Sequence, residues 1–110
     1  MKLPYNVVNK TYIGQIVRSS SSSGANYRAA CRAKSKEDFV YKLRIVEEEL
    51  DETMYFYELL AEFNPDFKRE LRELYKEANE LVAIIVASIN TTLSNMLKEK
   101  AIKKNPKSSI

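Results

Sequence analysis

The acid run EEELDE, residues 47–52, is the densest cluster of charge-bearing side chains in the 110-residue chain. On a helix it places Glu48 and Glu52 one turn apart on one face, where carboxylate oxygens could hold a hard cation. Nothing else at calcium-loop spacing accompanies them, so a solvated or interface-facing acidic face is expected. The chain has no histidine. That removes Ser–His and Cys–His nucleophile pairs and the Glu-x-x-His pairs of di-iron bundles. Gly24 stands alone with no G-K-[ST] after it, which excludes a phosphate loop. Cys31, the single cysteine, reads as a small core residue. No metal, cofactor or enzymatic activity is expected.

The bases carry more information. Residues 1–36 hold seven Lys or Arg and no acid; residues 37–97 hold six bases against fourteen acids; residues 98–110 hold five lysines and one glutamate. The net charge of +3 conceals this basic–acidic–basic order, which suits a polyanionic partner or charge-matched association. One cysteine and no apolar leader at the N-terminus point to a reducing cytoplasm. The uncharged apolar run at residues 81–89 is too short for a bilayer, so no membrane partner is expected.

Three helices must position these groups. Ser35 with Asp38 is a near capping box, and Phe39, Leu43, Val46, Leu50, Met54, Tyr57 and Leu60 recur at helical spacing until Pro65 stops the helix. Asn64 and Pro65 open the next, whose stripe is Phe67, Leu71, Leu74, Ala78, Leu81/Val82, Ile85, Ile89, Leu93 and Met96. Between residues 81 and 89 it is apolar all round, predicting burial on one side by the core and on the other by a second subunit.

The run RSSSSSG, residues 18–24, is the ambiguous part. Ile13, Val17, Ser20, Gly24, Tyr27 and Cys31 keep one phase across it, which predicts a single helix with a thin waist at Ser20 and Gly24; a loop at residues 19–24 is the alternative. The expected helices are residues 9–33, 35–62 and 65–98 of a domain spanning 1–97, followed by a basic disordered tail, 98–110.

QIVRSSSSSGANYRAA (15–30), SKEDFVYKL (35–43) and EEELDETMYFYELL (47–60) resemble, in order and spacing, motifs of the four-helix-bundle proteins encoded within intervening sequences of bacterial 23S ribosomal RNA genes. The matching positions include Gln15, Arg18, Ser19, Asn26, Asp38, Phe39, Glu49 and Glu52. Ala29 departs from the glutamate many relatives carry. The resemblance implies an all-α, antiparallel up-down bundle of the four-helix type, here lacking most or all of the first helix, and a homopentameric ring. It also brings in a related accessory protein of diversity-generating retroelements, which binds nucleic acid and a reverse transcriptase through a basic surface. The expectation is a non-enzymatic oligomer that contacts RNA or DNA phosphates through Arg18, Arg28, Arg32, Lys34, Lys36, Lys98, Lys100, Lys103 and Lys104. The rival is a protein-binding scaffold whose basic helix pairs with its acidic one.

Overall fold

The computed structural model describes residues 1–104, which form three long helices joined by short connections: α1 (Val7–Cys31), α2 (Lys36–Phe63) and α3 (Lys68–Lys104), with a 3₁₀ turn, Pro65–Phe67, leading into α3. Each start has a local cause. The Asn6 side chain accepts from the Asn9 amide to cap α1, and the Ser35 side chain accepts from the Asp38 amide to cap α2. Pro65 occupies the first position of the 3₁₀ turn, where its missing N–H costs nothing. Helix α3 runs on through residues 98–104, which the sequence assigns to a disordered tail; residues 105–110 lie outside the described part.

The helices are antiparallel neighbours in chain order. Arg18 and Ser19 of α1 meet Glu49, Glu52 and Thr53 of α2, and Lys36 of α2 meets Glu99 of α3. Helices α1 and α3 both pack on α2 but nowhere approach each other within 8 Å, Cα to Cα. The described helices therefore pack with α2 in the middle, in a long, thin envelope of 66 × 22 × 15 Å.

The core follows the α2 stripe. Leu43, Val46 and Leu50 are buried together with Ala30 of α1 and Ile85 and Ile89 of α3, and Phe39, Val82, Leu93 and Met96 pack against them. Within the chain, helix α3 is covered on one face. Ile85 and Ile89 are buried, yet Leu81 and Ile84 are half or more exposed.

The serine run is one continuous helix, but its buried phase is one residue earlier than the sequence suggests. Ser19 and Ser23 are buried with Asn9 and Ala30, whereas Ser20, Gly24, Tyr27 and Cys31 are exposed. One residue is about 100° on a helix, enough to carry the expected waist to the outside. Cys31 is thus a surface thiol, not a core residue. A Cβ built at Gly24 meets nothing within 4 Å, and no glycine has positive φ. Gly24→Ala should therefore raise stability by roughly 0.5–1 kcal/mol through helix propensity alone, as read by urea denaturation. A destabilised variant would place Gly24 back in a contact.

Candidate nucleic-acid interface

Antiparallel order brings the end of α1, the start of α2 and the end of α3 to the same end of the molecule. Residues 28–44 and 93–104 meet there with ten Lys or Arg against three acids, a net charge of +7, while the rest of the chain sums to −4. Arg28, Arg32, Lys34, Lys98, Lys100, Lys103 and Lys104 are exposed at this end and take part in no ion pair among the described residues. Lys36 lies there too, paired with Glu99. An open groove of about 850 Å³ lies in the cluster, lined by Leu93, Met96 and Leu97, by Lys36, Lys100 and Lys103, and by Glu37 and Glu99. Tyr41, 61% exposed, stands on the first turns of α2 with the Lys42 ammonium 5.8 Å from its ring centre.

Arg18 is placed elsewhere. It sits mid-helix in α1, where its Nη1 lies 3.3 Å from Glu49, its Nη2 contacts Glu52, and its Nε donates to Gln15 at 3.0 Å. Hydrogen bonding to Glu52 and the charges of both carboxylates raise its pKa above the ordinary guanidinium value. The motif residues around it share one task. Thr53 donates to the Glu49 carbonyl at 2.9 Å, which leaves Ser19 to donate to Thr53 at 2.6 Å. Asn26 donates to the Ser22 carbonyl, and Phe39 packs on the core. The Asp38 amide is held by Ser35. Gln15, Arg18, Ser19, Glu49 and Glu52 fasten α1 to α2. No group of three His, Cys, Asp or Glu side chains placed to hold a metal ion occurs among the described residues.

At the opposite end is a feature the sequence did not reveal. Asn9 and Asn64, 1% and 6% exposed, exchange both side-chain amide hydrogen bonds, at 2.9 and 2.7 Å. Asn9 also donates to the Pro4 carbonyl and Asn64 to the Leu60 carbonyl. No buried side-chain polar atom lacks a partner among the described residues. The only signal was Asn9 lying in phase with Ser19 and Ser23. A second cleft, about 520 Å³ between α2 and α3 near this end, is walled by Tyr57, Glu58, Leu71, Arg72 and Tyr75.

Comparison with known proteins gives a family and no activity. No curated protein matches the chain. A crystallised protein of unknown function from Bacteroides thetaiotaomicron, of the S23 ribosomal protein family, is 33% identical over 77% of this chain and 75% of that one, with a TM-score of 0.67. The family model for the 23S rRNA-intervening sequence protein matches residues 3–87, so the lysine-rich end of α3 lies beyond the matched segment. With that model covering α1, α2 and half of α3, the chain belongs to the 23S rRNA-intervening sequence protein family.

Proposed function

We propose that this protein is a non-enzymatic nucleic-acid-associated helical protein that holds RNA or DNA phosphates on its basic end. The observation that carries the reading is the convergence of two basic stretches, far apart in sequence, at one end of a chain whose remainder is net acidic. Seven exposed cations with no ion pair among the described residues form an electrostatic footprint for a sugar–phosphate backbone. Lysines and arginines on helix ends contact phosphates without reading bases, so binding is sequence-tolerant.

The test is filter binding of a mixed-sequence oligonucleotide at two salt concentrations, beside a thermal melt. Affinity should fall with salt by roughly 0.7–0.9 log units per phosphate contact per decade. Arg28→Glu/Arg32→Glu/Lys34→Glu should weaken binding at least about tenfold and flatten that slope, with an unchanged melt. Arg18→Gln should do the reverse, lowering the melt and leaving the slope alone. A wild-type chain that fails to bind at low salt would sink the reading.

The scaffold reading rests on a specific observation of its own. Arg18 and Lys36, two of the nine expected phosphate contacts, are occupied by Glu49, Glu52 and Glu99. A melt that collapses on charge reversal at residues 28–34 would favour it.

A further inference from the structure

The groove at the basic end has a lining that phosphates alone do not account for. It carries three lysines against two glutamates, +1 out of the +7 gathered at this end. Lys36 and Glu99 are already paired with each other. Glu37 takes part in no ion pair among the described residues, and its carboxylate repels a phosphate at close range. Leu93 and Met96 pack against the core, while Leu97 is 68% exposed. An apolar surface gives an anion neither a partner nor water. The groove is thus a poor phosphate site set among good ones, Arg28, Arg32, Lys34, Lys98 and Lys104.

Nucleic acid has one uncharged part with flat, apolar faces, the base. In a duplex those faces are stacked on one another; in a single strand they are free to lie on protein. Tyr41 offers a ring for this. It is 61% exposed, one turn of α2 beyond Glu37 on the same side of the helix, with the Lys42 ammonium 5.8 Å from its ring centre. Binders of single strands combine these two elements, cations that track the backbone and aromatic rings on which bases stack. The Glu37 carboxylate, misplaced beside a phosphate, can accept from the amino group on a base edge.

We propose that the basic end takes single-stranded RNA or DNA, with phosphates on its cations and unpaired bases in the groove between α2 and α3 and on the ring of Tyr41. The inference rests on the reading of this end as a phosphate site and adds the class of strand to it. Residues 93–103, which form the α3 side of the groove, lie beyond the segment that the family model matches.

The test is filter binding of the full chain at two salt concentrations with three probes of equal length. These are a mixed-sequence single strand, the same strand annealed to its complement, and an abasic strand. The single strand should bind more tightly than the duplex and at least about fivefold more tightly than the abasic strand. Its salt slope should equal that of the abasic strand, because their phosphates are the same. Tyr41→Ala, an exposed change, should weaken single-strand binding at least about fivefold and leave abasic binding and the melt unchanged. Leu97→Ser should act in the same direction. An abasic strand bound as tightly as the natural one, or a duplex bound more tightly, overturns the inference and leaves the phosphate reading standing. So do Tyr41→Ala and Leu97→Ser variants that both bind the single strand as wild type does. Polyglutamate that displaces the strand as well as unlabelled strand does would give the groove to an acidic protein and overturn it too. A chain that binds none of the three probes at low salt overturns both readings.

Discussion

Asn64→Leu is expected to lower stability by about 3 kcal/mol, the largest effect of any substitution considered for this chain. The side chain is 6% exposed, donates to the Asn9 and Leu60 carbonyl oxygens, and accepts from Asn9. Leucine fills the space but leaves the Asn9 side-chain oxygen buried with no donor, at a cost of about 1–3 kcal/mol, and removes the bond that closes the end of α2. For a domain of this size the melting temperature should fall by roughly 12–20 °C. The decisive comparison is the double variant Asn9→Leu/Asn64→Leu. Removing both amides orphans neither, so it should cost less than the sum of the singles by about 1 kcal/mol or more. Additive single and double variants would show that the two amides do not depend on one another.

Ser19→Leu is expected to cost about 2–3 kcal/mol. Ser19 is fully buried, and its hydroxyl lies 2.6 Å from that of Thr53, so α1 sits on α2 with room for one small side chain. Two further heavy atoms, on a branched side chain, force the helices apart, which typically costs about 1–3 kcal/mol. The loss of the donor to Thr53 adds to this. Ser20→Leu, one position on and exposed, should change stability by less than about 0.5 kcal/mol. Urea denaturation of the pair reads the helical phase directly. Equal costs at both positions would reject the register described for α1.

That register shows where sequence reading succeeds and where it stops. In α2 the stripe from Phe39 to Leu60 contrasts large apolar with charged residues, and Leu43, Val46, Leu50 and Leu60 are buried as the periodicity predicts. Within five adjacent serines there is no contrast, so the phase had to be carried in from Ile13 and Val17. Those two are 40% and 59% exposed, and the inherited phase was wrong. Asn9 and Asn64 were invisible for a related reason. A polar residue on an apolar stripe becomes a core residue only when its partner arrives, here from 55 positions away. The basic end was half legible. The composition gave three charged stretches, but only the antiparallel order places residues 28–36 beside residues 98–104. Arg18 looked like one more cation of that set, and its distance from the others follows from Glu49 and Glu52 lying across from it.

Because α1 and α3 meet only through α2, the chain is two helical hairpins that share a member. This has a consequence for its birth on the ribosome. Every fastening between α1 and α2 — the Asn9–Asn64 exchange, the Arg18 pairs, the Ser19–Thr53 bond — joins residues that have all been synthesised by position 64. The first hairpin can therefore close while α3 is still in the exit tunnel, and α3 then adds to a surface already in place. Folding proceeds from one end to the other, with no early helix left waiting for a late one.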